Sequence, residues 1–204
     1  MTFITFVQVF TICLLGAMSP GPSMAVVINN AVFKNRTSGY ITSIGHAIGI
    51  TLYAIFAVLS LNFIIKSNFI FFNFLEIIFI LVLFYFGINS FNSKTFSKKD
   101  LDIGRKNINS FIQGLSIAIL NPKIFIWFTV IYSQFIKIDQ SYWYYTILIL
   151  TAGIIDACWY VFLSRLVSSN IMINKLETRL PLLKKIIGIF FFLFGVYFLI
   201  NYIF

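Results

Sequence analysis

Six long stretches of this chain carry no charged side chain or only one, and together they take up most of its length. Crossing the hydrocarbon core of a bilayer takes about 20 apolar residues in a helix. Charged residues make up only 10% of the chain, whereas about 25% is usual for a soluble domain. The sequence therefore predicts an all-α integral membrane protein whose six spans, numbered in chain order, are Met1–Phe33, Thr37–Ile65, Ser67–Ser93, Asn107–Ile136, Gln140–Ser164 and Ile186–Phe204.

Basic residues lie mainly in alternate connections between these spans. The connections after spans 1, 3 and 5 carry two, five and five Lys or Arg residues, the last set running from Arg165 to Lys185. Those after spans 2 and 4 carry only Lys66 and Lys137. Because Lys and Arg are enriched in cytoplasmic connections, we expect connections 1, 3 and 5 in the cytoplasm and both termini outside. This asymmetry accounts for the net charge of +9, so nucleic acid is not expected as a partner.

The longest hydrophilic stretch divides the chain into two halves of three spans each. We predict one transmembrane domain with a first repeat over residues 1–93, a cytoplasmic linker over 94–109 and a second repeat over 110–204. Because three is odd, the second half enters the membrane in the opposite direction to the first. Inverted repeats of this kind are common in secondary transporters.

Spans 1 and 4 are each interrupted by proline near the middle of the bilayer. Proline lacks an N–H and clashes with the carbonyl group four residues earlier. Pro20 lies 14 residues before Lys34, about 21 Å along a helix, and Pro122 lies 11 residues after Phe111, about 17 Å. Both helices are therefore predicted to break near the midplane. The alternative is that these prolines only kink the helices for packing.

A new half-helix is predicted to begin after each break, near Ser23 and near Lys123. Gly21-Pro22 and Asn121-Pro122 both have the pattern of a cap followed by proline at the first helical position. Free N–H groups and the helix dipole attract anions to such a start, so we expect a substrate carboxylate between the two half-helices. The candidate substrate-binding residues here are Pro20, Gly21, Pro22, Ser23, Asn121, Pro122 and Lys123.

Asp156 is predicted to lie close to the midplane, 11 residues past Tyr145, or about 16 Å along span 5. Ionisable residues inside a membrane are costly and are functional candidates by default. Burial disfavours the charged form of a carboxyl group, so such a group is suited to taking up and releasing protons. Asp156 is therefore a candidate for proton coupling and for holding a substrate ammonium. A structural ion pair with Lys123 is the alternative.

Glu76 and His46 are two further ionisable residues within predicted spans. Glu76 lies about 10 Å from the outer end of span 3, and His46 about 10 Å from the cytoplasmic end of span 2. Both are candidates for a proton path, since histidine titrates near physiological pH. Gly45 and Gly49 form a G-x-x-x-G pattern around His46, which is typical of helix contacts. A hydrogen-bonded packing role is the alternative for His46, and a snorkelling or helix-bonding side chain is the alternative for Glu76.

Taken together, these motifs resemble the LysE/RhtB-type amino-acid exporters, and the resemblance covers essentially the full chain. It implies a six-span protein of the bacterial inner membrane that exports amino acids in exchange for protons, and it allows a homodimer. The residues that carry it are Ser19-Pro20-Gly21-Pro22, Gly39 with Gly45-His46-Ala47-Ile48-Gly49, Gly114 with Asn121-Pro122-Lys123, Asp156 with Trp159-Tyr160, and Ile187-Gly188 with Phe194-Gly195-Val196-Tyr197.

The predicted function is secondary active export of an amino acid or related small metabolite, with the two halves rocking around a fixed site. The expected partners are the substrate, protons and the lipid bilayer, with no cofactor and no metal. The alternatives are an exporter of another small carboxylate, a channel or a structural membrane protein. A metal-ion exporter needs several ligands at one depth, whereas Glu76, His46 and Asp156 are placed at different depths. An enzyme is not expected, because one His and two separated Cys form no catalytic cluster.

Overall fold

The described part of the chain folds, in a computed structural model, into eight α-helices. Backbone is described for residues 1–67, 69–92, 109–136, 140–167 and 170–203, and side chains for the same ranges except 61–67, 69–73, 75–76, 92, 122, 133 and 170–177. The helices are α1 Phe3–Met18, α2 Pro22–Asn29, α3 Arg36–Ser67, α4 Phe69–Asn92, α5 Ser110–Leu120, α6 Pro122–Ile126, α7 Tyr142–Val167 and α8 Asn170–Ile203.

Three of these helices are individually long and apolar enough to cross a membrane: α3 over Arg36–Ser60, α7, and α8 over Thr178–Ile203. Two more spans arise when α1 with α2, and α5 with α6, are each taken as one bent helix. The helix α4 has 24 residues, and its apolar segment among the described side chains is Ile77–Phe91. The chain is thus an all-helical, multi-pass membrane protein, and six as the number of spans stays a prediction.

Each half-helix that follows a proline break continues into a π-helical turn. The helix α2 passes into a π turn over Asn30–Lys34, and α6 passes into one over Trp127–Ile131. The chain bends by 63° at the first break and by 56° at the second. Turns of this type are rare and often occur at functional sites. The two broken spans share one order of elements, as two copies of a repeat would.

Glycines bring α3 into backbone contact with α5 and α7. A Cβ atom added to Gly45 would lie 2.2 Å from a backbone carbonyl oxygen of α5, and one added to Gly49 would lie 2.5 Å from a side chain of the same helix. On α5, a Cβ on Gly114 would lie 2.0 Å from the carbonyl oxygen of Thr42. On α7, a Cβ on Gly153 would lie 2.2 Å from a side-chain oxygen of α3. The helix contact predicted for Gly45 and Gly49 is confirmed.

The helices α4 and α8 form a second packed pair. A Cβ on Gly87 would lie 3.2 Å from the Gly188 carbonyl oxygen, and one on Gly188 would lie 3.0 Å from the Gly87 carbonyl oxygen. The rings of Phe79 and Phe198 meet edge to face, with centroids 4.7 Å apart. Residues later in α4 contact residues earlier in α8, so these two helices are antiparallel. The contacts of Ser43 with Ser164 and of His46 with Asp156 show the same reversed order for α3 and α7. Corresponding helices of two inverted repeats would be related in this way.

The predicted extent of the connection between spans 5 and 6 is wrong. The helix α7 continues through Arg165 to Val167, and α8 begins at Asn170, well before the predicted start of span 6. Lys184, which the sequence analysis assigned to this connection, lies within α8 and is only 6% exposed. Charge and hydropathy mark where a helix can enter the hydrocarbon, but a helix can begin earlier, in the polar region outside it.

Replacing Gly114 by alanine is expected to destabilise the protein. The added methyl group would overlap the carbonyl oxygen of Thr42 and approach the backbone nitrogen of His46 to 2.9 Å. Overpacking of this kind typically costs about 1–3 kcal/mol. Thermal unfolding of the purified protein in detergent measures the loss. Gly195→Ala is the matched control, because the three atoms nearest its new methyl group belong to the Phe84 side chain and lie 3.2 Å or more away. Equal unfolding midpoints for the two variants would contradict the backbone contact.

Candidate functional site

The break in the first broken span leaves an open helix start. The helix α2 begins at Pro22, and Gly21 is its N-cap residue with an extended backbone. Among the described residues, no side chain caps this start. The N–H of Ala25 donates to the Gly21 carbonyl at 3.1 Å, and the N–H groups before it have no partner within the helix. The start of α2 therefore keeps the hydrogen-bond donors that the sequence predicts for it.

The break in the second broken span is capped by its own residue. Asn121 is the N-cap of α6, and its Oδ1 accepts a hydrogen bond from the backbone N–H of Lys123 at 3.0 Å. The Asn121 carbonyl accepts from the N–H of Ile124, also at 3.0 Å. The prediction that both half-helix starts offer free N–H groups is thus wrong for α6. Asparagine can cap a helix with its side chain, whereas the glycine at the other break cannot.

A direct hydrogen bond joins the two breaks. The Nδ2 of Asn121 donates to the Oγ of Ser23 at 3.1 Å, and both residues are buried. A second hydrogen bond lies just before the second break, where the Tyr53 hydroxyl donates to the carbonyl of Ile119 at 2.7 Å. That carbonyl is one of the last in α5, where intrahelical donors run out. The two breaks are therefore linked by a side-chain hydrogen bond, and Tyr53 satisfies one carbonyl group at the end of α5.

Lys123 places its ammonium group beside the open start of α2. Its Nζ donates to the Ser19 Oγ at 2.6 Å and lies 4.0 Å from the point where a Cβ on Gly21 would sit. It also lies 5.9 Å from the centroid of the Phe86 ring. Within the described residues, no carboxylate pairs with Lys123, so the predicted alternative of an ion pair with Asp156 is not what the structure shows. The Lys123 ammonium group and the N–H donors at the start of α2 therefore lie next to each other.

Asp156 pairs with His46 instead. The Nδ1 of His46 lies 2.7 Å from the Oδ2 of Asp156, and the two residues are 2% and 4% exposed. The edge of the Tyr160 ring packs against the imidazole, with centroids 4.9 Å apart. The other ring nitrogen of His46, Nε2, is buried and has no hydrogen-bond partner within the described structure. One nitrogen of the imidazole is thus held by the carboxylate, and the other has no hydrogen-bond partner among the described residues.

The expectation that His46 and Asp156 lie at different depths is wrong. The helix α3 begins at Arg36, so His46 lies ten residues, or about 15 Å, along it. Asp156 lies 14 residues, or about 21 Å, along α7 from the opposite end. The two antiparallel helices therefore bring both residues to one level. The side chain of Glu76, the third predicted proton-path residue, lies outside the described residues.

These groups line a single cavity. The space between its lining atoms is about 560 Å³, a figure that includes open solvent at its mouth. Most of the predicted substrate-binding residues line it, but Pro20 is not among those that do, and the side chain of Pro122 lies outside the described residues. The predicted residues that line the cavity are Gly21, Pro22, Ser23, His46, Asn121, Lys123 and Asp156.

Several other lining residues were not predicted as site residues. Ser19 lies within the first break, next to the predicted set. Tyr160 lies four residues after Asp156, so a helix places both on one face, and this spacing could have identified it. Cys13, one of the two separated cysteines, is buried and also lines the cavity. Trp127 lies at the start of the second π turn, and no sequence signal marks its position.

Broken helices that meet at a cavity within a multi-pass membrane protein are common in secondary transporters. The chain belongs to the LysE type translocator family, which it matches over residues 14–202. It is also similar to the uncharacterized membrane protein YrhP of Bacillus subtilis (strain 168), with 26% identity over 188 residues that cover 87% of this chain and 90% of the relative. No solved structure matches the chain significantly. The protein is thus a membrane transporter of this family.

Replacing Asn121 by alanine is expected to destabilise the second break. The change removes the cap on the Lys123 N–H and the hydrogen bond to Ser23. Loss of a side-chain cap alone costs about 0.5–2 kcal/mol. Thermal unfolding in detergent measures the effect. Asn121→Ser is the matched control, since serine keeps a capping oxygen but removes the amide that donates to Ser23, so its midpoint should fall between those of the wild type and the alanine variant.

Proposed function

We propose that the protein exports amino acids from the cytoplasm across the bacterial inner membrane in exchange for protons. The observation that carries the proposal is that Lys123 and Asp156 face one buried cavity without pairing with each other. A zwitterionic amino acid supplies the complementary charges. Membership of the LysE type translocator family supports the transport of a small solute.

The substrate carboxylate binds beside Lys123. The Lys123 ammonium contacts Ser19 and lies next to the uncapped start of α2, so a carboxylate there meets a full charge and backbone N–H donors together. Hydrogen bonds between charged partners are shorter and stronger than neutral ones. The second half-helix start contributes its lysine side chain rather than free N–H groups, since Asn121 already caps it.

The substrate ammonium binds at the pair formed by Asp156 and His46. A carboxylate buried in a membrane needs a cation or hydrogen-bond donors to be tolerated. His46 supplies such a donor at 2.7 Å in this structure. Proton binding at this pair weakens its attraction for the ammonium and favours release of the substrate to the exterior. The inward proton gradient then supplies the energy for export.

The moving parts in this proposal follow the packed interfaces and not the two halves of the sequence. The helix α3 belongs to the first half, yet it is in backbone contact with α5 and α7 of the second half. The helices α4 and α8 likewise pair across the halves. Rocking one half against the other would separate both sets of glycine contacts. We therefore propose that the α4–α8 pair moves as one body relative to the α3–α5–α7 group, which opens the cavity to each side in turn.

Labelled amino acids loaded into vesicles that contain the purified protein test the function. Efflux of one or a few amino acids against their concentration gradient, dependent on a pH gradient, is the expected result. Movement that only follows the concentration gradient and ignores pH would indicate a channel. Movement of carboxylates without an amine, and of no amino acid, would assign the site to another class of anion. Protein-free vesicles and vesicles with collapsed gradients are the controls.

Replacing Asp156 by asparagine is expected to abolish gradient-driven export. The amide preserves size and can still bond to His46, but it removes the charge that holds the ammonium. Loss of a charge-assisted hydrogen bond weakens binding by roughly tenfold or more. Initial rates in the vesicle assay measure this. Cys158→Ser, two residues further along α7 at an exposed position, is the matched control and should keep the wild-type rate. Full export by Asp156→Asn would exclude Asp156 from coupling.

A further inference from the structure

The Nε2 nitrogen of His46 is a buried polar atom that the fold leaves without a hydrogen-bond partner. The residue is 2% exposed and lines the cavity. Its other nitrogen is engaged by Asp156 at 2.7 Å. A carboxylate only accepts hydrogen bonds, so Nδ1 carries a proton whenever Asp156 is ionised. Nε2 is then either an acceptor, in neutral imidazole, or a second donor, in imidazolium.

We propose that His46 Nε2 is the single atom for which the proton and the substrate amine compete, so that each excludes the other from the cavity. This inference rests on the proposed function and narrows it. When Nε2 is protonated, the imidazolium repels the substrate ammonium. When Nε2 loses that proton to water in the cavity, its lone pair accepts an N–H hydrogen bond from the ammonium. One amino acid binds for each proton released.

Charge counting at the buried pair explains why exchange is obligatory. Ionised Asp156 with imidazolium has a net charge of zero, and so does ionised Asp156 with neutral His46 and a bound ammonium. With neither cation present the pair carries −1, and with both it carries +1. Uncompensated charge is costly in a buried site within a membrane. The protein therefore passes between two occupied states and disfavours the empty and the doubly occupied ones.

The neighbours of His46 reinforce this exclusion. From α7, Asp156 and Tyr160 contact the imidazole directly. Cys13 of α1 and Lys123 of α6 line the same cavity. Lys123 brings a second positive charge, which the substrate carboxylate neutralises on binding. With Lys123 and the carboxylate neutralising each other, two cations at the His46 end would share the single negative charge of Asp156.

The assignment defines a substrate class. The amine must keep at least one N–H, because Nε2 accepts a hydrogen bond and offers no carboxylate oxygen to a bulky cation. Primary and N-methylated amino acids meet this condition. Trimethylated amino acids carry the same charge but no N–H donor, and 2-hydroxy acids carry no positive charge. Asp156 acts through His46, whose protonated Nδ1 it holds in place, and is a positioning residue in this scheme.

Proton release on binding tests the proposal. Purified wild-type protein in weakly buffered detergent solution is titrated with each of the twenty proteinogenic amino acids, and a pH-sensitive dye reports released protons while calorimetry reports binding. The expected result is one proton released per amino acid bound. For each amino acid that binds, the trimethylated and 2-hydroxy analogues should bind at least roughly tenfold more weakly, which is the loss expected for a charge-assisted hydrogen bond.

The His46→Gln variant locates the proton. Glutamine can place an uncharged amide near the position of Nε2 but cannot titrate, so the variant should bind amino acids without releasing protons. In vesicles it should exchange labelled for unlabelled amino acid but lose accumulation driven by a pH gradient. Ser164→Ala is the matched control. Ser164 is buried between the same two helices, where its Oγ lies 3.3 Å from that of Ser43, and it does not line the cavity.

Three results would overturn the inference, and they differ in their consequence for the proposed function. Binding of amino acids by wild-type protein with no proton release would remove the competition but leave amino-acid export standing. Undiminished proton release by His46→Gln would move the proton to another group, with Asp156 the first to consider. Absence of binding for every amino acid would remove both the inference and the proposed function.

If His46→Gln does not fold, the trimethylated analogues still test the inference on the wild-type protein. Binding of these analogues as tight as that of the parent amino acid would exclude Nε2 as the acceptor.

Discussion

The interior of a membrane offers no water to a broken helix, so backbone groups exposed by a break must find partners within the protein. The two breaks in this chain lie next to each other and are joined by a side-chain hydrogen bond, and only the second has its helix start capped. Asn121 caps its own half-helix through Oδ1 and uses Nδ2 to bond to Ser23 of the other break. The cavity lies where these two interruptions meet, and its polar groups come from the breaks and from His46, Asp156 and Tyr160 of the unbroken helices α3 and α7.

Each buried charge in this cavity has a partner that makes its burial tolerable but leaves it available to a ligand. Asp156 is tolerated because His46 contacts it at 2.7 Å, and Lys123 because it contacts a hydroxyl group and lies near an aromatic ring. Neither charge neutralises the other, so each stays available to a ligand. A salt bridge between Lys123 and Asp156 would have left neither charge available to bind a ligand. The packing of α3 against α7 instead gives the carboxylate a titratable partner.

Much of the fold could be predicted from the sequence, because bilayer thickness and proline chemistry act locally. The positions of both breaks, and the caps at Gly21 and Asn121, follow from residue types alone. The pairing of His46 with Asp156 did not follow, since each depth was counted from one end of its own span, and the shift of α3 along α7 is set by their packing. Lys184 was misplaced because α8 begins well before the predicted start of span 6. Which of two half-helix starts is open depends on where the Asn121 side chain points, and that is a property of the folded chain.

The antiparallel contacts of α3 with α7 and of α4 with α8 also bear on how such a chain can arise. Each pair joins corresponding helices of the two halves, so the strongest interfaces lie between the halves and not within them. An interface of this symmetry is what two identical half-length chains, inserted in opposite orientations, would form on dimerising. A gene duplication followed by fusion would convert that intermolecular surface into an intramolecular core. Once fused, two such copies would be free to diverge, and the glycine cap at one break against the asparagine cap at the other would be one product of that divergence.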